Sequence, residues 1–334
     1  MKGLVLFSGG LDSILATKLV LKQNIEVEGI NFSTLFWSYK KKENSHFSVK
    51  SIAEELGIKL KVFEVSRDFL EVVKNPKYGY GSGMNPCIDC RIFMLKKAYQ
   101  YMKETGASFL ITGEVLNERP MSQRLSILKL IEKETALSGL ILRPLSAKLL
   151  EPTTPEKKGW VDREKFLSIK GRSRKPQMIL AKNLGIRNYL NPSGGCLLTD
   201  PGFSKRMKDL MKYSPNFNLE DVELLKLGRH FRISDKAKLI VGRDKEENEK
   251  IINFNLKESP LFYPLEAKGP VALGRGIFDR DLINLSAGIV AYYCDKENIN
   301  FPLKIAYKNN YSSDKIEVLE VLSLSNLKIK ELLV

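Results

Sequence analysis

Six residues near the beginning of the chain constrain its fold more than any other feature. The segment 8–13 reads Ser-Gly-Gly-Leu-Asp-Ser, directly after the apolar run 3–7 and directly before the helical pattern 14–21. A strand, a glycine turn and a helix start place unpaired backbone N–H groups and the positive end of a helix dipole around one small cavity. The motif therefore predicts a phosphate-binding loop. The residues predicted to form it are Ser8, Gly9, Gly10, Asp12 and Ser13.

The chemistry expected of this loop follows from its composition. It lacks the Gly-Lys-Ser/Thr ending of a Walker loop, so it suits a pyrophosphate leaving group better than γ-phosphoryl transfer. The motif resembles the signature of the PP-loop ATP pyrophosphatases, which activate a carbonyl oxygen by adenylation. This resemblance implies ATP as the cofactor, with Mg²⁺ balancing the phosphate charge and Asp12 as a catalytic residue. The alternative is an ordinary strand-to-helix turn capped by Asp12 or Ser13.

The charge of the chain points to a polyanionic partner. Its 334 residues include 54 Lys and Arg against 39 Asp and Glu, a net charge of +15. Residues 148–212 alone carry 15 basic and 6 acidic side chains, which favours nucleic acid over a solvated, lysine-rich surface. No apolar stretch reaches the roughly 18 residues of a membrane span, and no signal peptide is visible. We therefore expect a cytoplasmic protein without a membrane partner.

Alternating strands and helices predict the fold of the first half. Apolar, β-branched runs indicate strands at 3–7, 27–32, 59–65, 108–112 and 140–145. Helical patterns separate these strands, which indicates an α/β fold with a doubly wound parallel sheet and a ligand at the carboxyl ends of its strands. Further nucleotide contacts are predicted at two other strand ends, from Asn31, Phe32, Ser33, Thr112, Gly113 and Glu114.

Shifts in composition divide the chain into three predicted domains. Residues 1–150 form the ATP domain, 151–214 a basic helical extension that carries the third cysteine, and 215–334 a C-terminal α+β domain. Within the extension, helices are predicted at 162–169 and 173–184. The chain is long enough for more than one domain to bury a core.

The cysteines predict metal or redox chemistry. Cys87 and Cys90 form a Cys-x-x-Cys pair on a turn that enters a helix. Cys196 lies in the turn-rich segment 191–196, whereas Cys294 fits a buried structural thiol. Because structural disulfides are rare in cytosolic proteins, the pair indicates a metal site or a redox site.

The chemistry of these thiols has several interpretations. In the first interpretation, the helix N-terminus lowers the pKa of Cys87, which then carries a persulfide that Cys196 resolves by disulfide exchange. Alternatively, Cys87, Cys90 and Cys196 bind a [4Fe-4S] cluster and leave one iron free to hold sulfide, which we favour because three thiols match it. A zinc site needs a fourth ligand, and His46 and His230 have no evident spacing to the thiols. A purely structural pair is the remaining alternative.

Further motifs resemble one enzyme family. Asn-Pro-Cys-x-x-Cys at 85–90 and Thr-Gly-Glu at 112–114, behind the phosphate-binding loop, resemble the tRNA thiouridine synthetases. The segment 112–123 is most similar to the 4-thiouridine synthetase branch, and Asn-Pro-Cys resembles the 2-thiouridylase branch. The motifs span about residues 1–200.

The resemblance implies a tRNA sulfurtransferase. The uridine carbonyl oxygen attacks the ATP α-phosphate, pyrophosphate leaves, and a sulfur nucleophile then displaces AMP. Cys87, Cys90 and Cys196 match the cluster cysteines of the iron-sulfur members, whereas Cys87 and Cys196 are the catalytic pair in the persulfide members. A sulfur donor is implied, either free sulfide or a cysteine desulfurase. The resemblance leaves two questions open: whether sulfur enters at C2 or at C4 of the uridine, and whether the chain is a monomer or a homodimer.

The C-terminal region resembles an RNA-binding family. Gly-Arg-His-Phe-Arg-Ile-Ser at 228–234 and Lys-Leu-Ile-Val-Gly-Arg-Asp at 238–244 resemble the NFACT RNA-binding domain, over about residues 216–334. The 4-thiouridine enzymes carry an RNA-binding region before the loop, which here begins at residue 8, so their docking mode is not carried over. His230 and Phe231 either stack on an unpaired base or lie in the core.

Arginine forks around a predicted hairpin suit phosphates. A second basic cluster, at 170–175, leads into a helix and either follows a tRNA backbone or is solvated. The residues predicted to bind RNA are Lys170, Arg172, Arg174, Lys175, Arg229, Arg232 and Arg243.

Two other functions compete with thiolation. A PP-loop enzyme that adenylates a small-molecule carbonyl for amination needs ammonia, but neither RNA nor the thiols. An RNA- or ribosome-binding adaptor with an ATP switch binds tRNA without releasing AMP and pyrophosphate.

Overall fold

The computed structural model describes residues 1–37, 48–190, 195–254, 259–295, 302–309 and 315–334. The chain divides into two compact units, Met1–Asp200 and Pro201–Val334. Residues 151–200 lie in the first unit because side chains such as Phe166 and Ala181 share one hydrophobic core with the first sheet. The boundary between the two compact units in the sequence thus follows Asp200. The division into three domains, with boundaries at 150 and 214, stays a prediction.

The first unit is built on five strands and seven helices in its described part. The strands are β1 Lys2–Leu6, β2 Glu26–Ser33, β3 Lys59–Glu64, β4 Phe109–Ile111 and β5 Ile141–Leu142. The helices are α1 Leu11–Leu21, α2 Val49–Glu55, α3 Ser66–Lys74, α4 Cys87–Thr105, α5 Leu125–Glu134, α6 Thr154–Lys157 and α7 Lys175–Asn183. Short 3₁₀ helices cover Ala147–Leu149, Arg163–Lys165 and Leu197–Thr199.

The five strands form one parallel sheet in the order β3-β2-β1-β4-β5. The predicted strands and the parallel α/β fold are confirmed. Because the strand order reverses between β1 and β4, the loops after these two strands diverge and leave a crevice at the carboxyl edge of the sheet. The phosphate-binding loop follows β1, and Thr112 follows β4, so both line this switch point.

The helix predicted at 162–169 is wrong. Only Arg163–Lys165 forms a 3₁₀ turn. Residues 167–169 instead run beside residues 144–148, joined to them by backbone hydrogen bonds of 2.9 to 3.1 Å. Tertiary pairing next to β5 therefore outweighs the helical period of this segment. The other predicted helix of the extension, at 173–184, is present as α7.

The second unit is an α+β module, as predicted. Its helices are α8 Pro201–Tyr213, α9 Leu219–Leu224, α10 Lys245–Asn253, α11 Arg280–Tyr292 and α12 Asn326–Leu332. Its strands are β6 Arg229–Ser234, β7 Ala237–Val241, β8 Leu261–Pro264, β9 Ala272–Gly276, β10 Leu303–Lys308 and β11 Glu317–Val321. They form an antiparallel sheet in the order β11-β10-β8-β9-β7-β6. Across the described ranges of both units, none of the helices has the length and apolar character of a membrane-crossing segment.

Two residues of β6 with alternative interpretations lie inside this module. Phe231 is fully buried, and its ring lies 6.1 Å from the ring of Tyr293. His230 is buried as well, and its Nε2 donates to the Leu227 carbonyl at 2.8 Å. Burial takes the pKa of His230 well below its usual range, so the ring is neutral. Both side chains thus occupy core positions and are not available to stack on a base.

Candidate nucleotide and thiol site

The loop between β1 and α1 leaves its backbone donors open. The helix begins at Leu11, directly after Gly10, and no side chain caps it. Ser8 Oγ donates to Ser13 Oγ at 3.2 Å, and Ser13 Oγ donates to the Gly10 carbonyl at 2.8 Å. These bonds hold two hydroxyls beside the loop, while the first-turn N–H groups have no partner inside the helix. Such an arrangement suits an anion.

Gly113 brings the end of β4 against this loop. A Cβ atom at this position would lie 2.5 Å from the backbone carbon of Asp12 and 2.6 Å from the backbone nitrogen of Ser13. Two backbones therefore touch here, and only glycine fits between them. Gly9 is required for a different reason, since its φ of +71° lies in the left-handed region.

Asp12 lies at the centre of a charged cluster. Its Oδ2 accepts a hydrogen bond from Arg174 Nη2 at 3.1 Å, whereas its Oδ1 is buried and, within the described ranges, has no hydrogen-bond partner. Burial raises the pKa of Asp12, although Arg174 and Arg119 oppose the rise. The pKa of Glu118 is raised too, by burial and by the nearby Asp12 carboxylate. An unsatisfied carboxylate oxygen beside a phosphate loop fits a hard cation such as Mg²⁺.

The fully buried Gln177 lies close to Asp12 on the first turn of α7. Its amide favours the charged form of the Asp12 carboxyl, yet neither amide atom meets hydrogen-bond geometry with any described residue. Sequence reasoning missed Gln177, because nothing in a helical pattern distinguishes a buried amide from a surface one. It also missed Glu118 and Arg119 as site residues, although both lie inside the family-like segment 112–123.

Glu114 ties the end of β4 to α4. Its buried carboxylate pairs with Arg143 Nε at 2.9 Å and with Arg91 Nε at 3.3 Å, and Thr112 Oγ1 donates to it at 3.2 Å. Burial alone raises a carboxyl pKa, but the two guanidinium groups hold the pKa of Glu114 below its usual value. These partners occupy the carboxylate that was predicted to contact the nucleotide. Because Arg91 belongs to α4, the pair also fixes the helix that carries two of the thiols.

We expect Arg143→Met to lower the free energy of unfolding by about 3–5 kcal/mol, because it leaves Glu114 buried beside fewer positive charges. Since the folded pKa of Glu114 is depressed, its stabilising contribution is present above the unfolded pKa of about 4.3 and is lost as the pH falls through the folded pKa. The difference in the free energy of unfolding between Arg143→Met and wild type therefore becomes smaller as the pH falls. Urea unfolding at several pH values measures it.

Lys129→Met is the matched control for this prediction. Lys129 pairs with Glu151 at 2.6 Å, but both side chains are more than half exposed and solvent screens the pair, so its loss should change the free energy of unfolding far less. Equal losses for Arg143→Met and Lys129→Met would contradict a structural role for the buried pair.

Backbone hydrogen bonds bring the third thiol to the other two. Met84 N donates to the Leu198 carbonyl at 2.8 Å, on one side of the turn that carries Cys196. Leu197 N donates to the Phe36 carbonyl at 2.7 Å, on the other side. Because residue 84 immediately precedes the segment 85–90, which contains Cys87 and Cys90, the turn lies close to that pair. Residues 191–194, at the start of the predicted turn, and His46 lie outside the described residues.

The three thiols lie within electrostatic reach of one another. Burial and the neighbouring Cys196 and Cys87 raise the pKa of Cys90 to about 12, although Arg91 opposes the rise. Burial and Cys87 likewise raise the pKa of Cys196 to about 11. The pKa of Cys87 is also raised, because burial outweighs Arg119 and Arg91. The lowered pKa predicted for Cys87 from its helix position is therefore not found.

As donors, the thiols fit an iron-sulfur cluster in number and kind. Three thiolates hold such a cluster and leave one iron without a protein ligand. In the described part of the chain, however, no three His, Cys, Asp or Glu side chains are arranged to hold a metal ion. The three thiols that could act as ligands are present, and their binding of a cluster stays a proposal.

Arg119 connects the phosphate-binding loop to the thiols. Its guanidinium lowers the pKa of Asp12 beside the loop, and it lowers the pKa values of Cys87 and Cys90 at the start of α4. Its backbone N–H donates to Gln123 Oε1 at 3.0 Å, which fixes the loop that carries it. The same guanidinium therefore lies within electrostatic reach of the phosphate-binding loop and of two of the three thiols.

Two predicted nucleotide contacts serve the sheet instead. Asn31 Nδ2 donates to the Phe7 carbonyl at 2.9 Å and so joins β2 to the end of β1. Phe32 is buried, and its ring stacks on Phe63 with centroids 5.7 Å apart. The Phe32 side chain is thus taken up by the sheet, whereas contact of Asn31 with ATP stays a prediction.

The predicted RNA-binding residues fall into several environments. Lys170, Arg172 and Lys175 are exposed, whereas Arg174 pairs with Asp12. In the second unit, the Arg232 guanidinium donates twice to Asp209, at 3.0 and 2.7 Å. The remaining two also have partners: Arg243 pairs with Glu247, and Arg229 lies over the Tyr293 ring at 4.5 Å and donates to the Gly242 carbonyl.

Comparison with known proteins gives two family matches and several relatives. Residues 1–148 match the family described as thiamine biosynthesis protein (ThiI), and residues 228–331 match the NFACT protein RNA binding domain. The tRNA-specific 2-thiouridylase MnmA of Syntrophotalea carbinolica is 33% identical over 119 residues, which cover 33% of this chain and 33% of that protein. A probable tRNA sulfurtransferase of Lysinibacillus sphaericus is 33% identical over 147 residues, which cover 43% of this chain and 34% of that protein.

The chain thus spans about a third of the length of these relatives. A solved structure of the U34-tRNA thiolase NcsA from Methanococcus maripaludis with its [4Fe-4S] cluster covers 68% of this chain and 70% of that one, at 20% identity and a TM-score of 0.33. A likeness at that level is too weak to assign the fold, which follows from the sheet order. Both resemblances read from the motifs are confirmed, and the chain joins a segment related to the ThiI family to a segment related to the RNA-binding domain of NFACT proteins.

Proposed function

We propose that this protein is an ATP-dependent tRNA sulfurtransferase that adenylates a uridine carbonyl and replaces its oxygen with sulfur. The observation that carries the proposal is that the end of β4 contacts both parts of the site: Gly113 lies against Asp12 of the phosphate-binding loop, and Glu114 pairs with Arg91 on the helix that begins at Cys87. An adenylation site and a sulfur site this close suit two successive steps on one carbonyl group. The names of the relatives, 2-thiouridylase and probable tRNA sulfurtransferase, support the same reaction.

The proposed reaction balances in two steps. The uridine carbonyl oxygen forms a bond to the α-phosphorus of ATP, the bond to the β-phosphate oxygen breaks, and pyrophosphate leaves with the electron pair while N3 loses its proton. A hydrosulfide-level nucleophile then adds to the same carbon, AMP leaves with the former carbonyl oxygen, and N3 regains a proton. The open N–H groups in the first turn of α1 stabilise the departing pyrophosphate, because that is where negative charge develops.

The cofactors are proposed from the donor atoms present. The unpartnered Oδ1 of Asp12 is the oxygen that Mg²⁺ would take. Cys87, Cys90 and Cys196 are the thiols that would hold a [4Fe-4S] cluster, which when bound supplies an iron with a free position for sulfide. Because burial raises the pKa of all three thiols, a bare persulfide pair is the less favoured route at neutral pH. Free sulfide or a cysteine desulfurase is the proposed donor, and the cytoplasm the proposed location.

The second unit offers a groove that suits an RNA backbone. The groove has a volume of about 1150 Å³ and opens between β6, α10 and the loop at 267–270. Its lining includes the aromatic ring of Tyr263, on which a base or a ribose can pack. The positively charged residues that line it are Arg229, Arg243, Lys245, Lys268 and Lys308. We propose that this groove holds the tRNA during the reaction, which agrees with the matched RNA-binding family.

We expect Lys268→Ala and Lys308→Ala each to weaken tRNA binding. Each should also make the slope of log K against log salt concentration shallower by about 1, because the lost lysine–phosphate contact no longer releases its one counterion. Arg232→Ala should leave that slope unchanged, since Asp209 already neutralises its guanidinium. Filter binding of the full chain to tRNA over a range of KCl concentrations measures the slopes. An unchanged slope in both lysine variants would place the RNA elsewhere.

Nucleoside mass spectrometry of tRNA from a strain that lacks the gene tests the proposed function. One thionucleoside should disappear and return when the gene is restored, and its mass and retention also report whether C2 or C4 is thiolated. An unchanged set of thionucleosides would refute the proposal. A purified protein that releases AMP and pyrophosphate without RNA would instead favour a small-molecule substrate.

A further inference from the structure

The ion pair between Asp12 and Arg174 joins α1 to the beginning of α7 beside the phosphate-binding loop. Arg174 Nη2 lies 3.1 Å from Asp12 Oδ2, and the two side chains are 26% and 22% exposed. The neighbours Arg172 and Lys175 are exposed. Arg174 therefore differs from the rest of the basic cluster, because it turns inward to the loop.

Backbone contacts hold the segment that carries Arg174 against both loops of the nucleotide site. At one end, Gly171 N donates to the Leu116 carbonyl at 2.8 Å, in the loop after β4. At the other end, Leu190 N donates to the Gly9 carbonyl at 2.8 Å, within the phosphate-binding loop itself. The guanidinium is thus delivered by a segment anchored on either side of the crevice. Its position does not depend on the ion pair alone.

The charge of Asp12 creates a problem for anion binding. A carboxylate beside the loop repels a pyrophosphate group unless a cation lies between them. Arg174 supplies this cation in the structure as it stands, and it is the strongest positive influence on the carboxyl. Arg174 holds Oδ2, whereas Oδ1 is open to the cation that accompanies ATP, and a cation bound there would neutralise the charge that holds Arg174. The nearest anion is then the phosphate, whose oxygens match a guanidinium fork.

From these contacts we infer that Arg174 exchanges partners: it pairs with Asp12 when the loop is empty and with the β,γ-pyrophosphate when Mg²⁺ and ATP are bound. The inference rests on the proposed function for the identity of the nucleotide. It assigns Arg174 to leaving-group binding and removes it from the predicted RNA-binding set. Arg174 is then the side chain that distinguishes pyrophosphate from AMP at this site.

Calorimetric titration of the full chain with inorganic pyrophosphate and, separately, with AMP tests this exchange. With Mg²⁺ present, Arg174→Ala should weaken pyrophosphate binding at least about tenfold, because charge-assisted hydrogen bonds are lost, and should leave AMP binding within about twofold. Arg174→Lys, which keeps the charge but loses the fork, should fall between. Lys182→Ala is the matched control, since it removes an exposed positive charge from the last turn of the same helix.

Asp12→Asn provides an independent arm. Without Mg²⁺, this variant should bind pyrophosphate at least about threefold more tightly than wild type, because the repulsive carboxylate is gone and Arg174 is free. The double variant Asp12→Asn/Arg174→Ala should lose that gain. A cooperative thermal unfolding transition shows that each variant is folded. If Arg174→Ala does not fold, the comparison of Arg174→Lys with wild type still tests the exchange.

The outcomes separate this inference from the function on which it rests. A wild-type protein that binds ATP and pyrophosphate, with Arg174→Ala indistinguishable from Lys182→Ala, overturns the exchange and leaves the sulfurtransferase proposal standing. Equal weakening of pyrophosphate and AMP also overturns it, because Arg174 would then act on the whole site. A wild-type protein that binds neither ATP nor pyrophosphate contradicts both proposals.

Discussion

Replacing any one of Cys87, Cys90 and Cys196 by serine should abolish tRNA thiolation while the protein stays folded. The three thiols share one electrostatic environment, and each is predicted to be a ligand or carrier of the transferred sulfur. We expect a loss of at least about a thousandfold, because removing one member of a set that acts as a unit costs almost as much as removing all. The amount of thiolated tRNA that each purified variant forms measures the loss of activity. Thermal unfolding of the same variants shows whether they stay folded.

Cys294→Ala is the control for these variants. Cys294 is buried in the second unit and its Sγ lies 3.4 Å from the Val290 carbonyl, so it has no part in the thiol set. Its substitution should leave thiolation intact. Full activity in all three serine variants would refute the role of the thiols, whereas activity lost only in Cys87→Ser and Cys196→Ser would favour a persulfide pair over a cluster.

Gly113→Ala should disable the nucleotide site from a position that carries no side chain. The added Cβ would lie 2.5 Å from the backbone of Asp12, so the loop after β4 and the phosphate-binding loop must separate. We expect ATP binding to weaken about ten- to a hundredfold, and the free energy of unfolding to fall by about 1–3 kcal/mol. Calorimetric titration with ATP and urea unfolding measure the two effects.

Gly81→Ala is the matched glycine control. Its added Cβ meets first the flexible tip of Met121, at 3.3 Å, instead of a neighbouring loop backbone. ATP binding should therefore stay close to that of wild type. If Gly113→Ala bound ATP as well as Gly81→Ala does, the contact between the two loops would have no part in shaping the site.

The fold of the first unit was predictable because its signals are local. Alternating apolar runs and helical patterns specify strands and helices, and the glycine turn at 8–10 fixes where the first strand ends. The helix expected at 162–169 failed for a non-local reason, because backbone pairing with residues 144–148 overrides its period. The boundary at 200 was hidden in the same way, since residues 151–200 complete the core of the first unit.

The candidate site was predictable in residue type but not in pairing. A motif shows that Glu114 and Arg174 are polar and near the site, yet it does not show that Glu114 is buried between two arginines or that Arg174 faces Asp12. The approach of Cys196 to the other thiols depends on hydrogen bonds from residues 84 and 197. Partner choice across such long separations follows from tertiary packing, which a single sequence does not display.

Transfer of a labelled oxygen atom tests the central claim most directly. tRNA carrying oxygen-18 in the carbonyl of the target uridine is incubated anaerobically with the protein, ATP, Mg²⁺ and sulfide, and the released AMP is analysed by mass spectrometry. Adenylation of the carbonyl predicts one oxygen-18 atom in each AMP and one thiouridine formed with it. AMP without the label, or labelled water alone, would contradict the account.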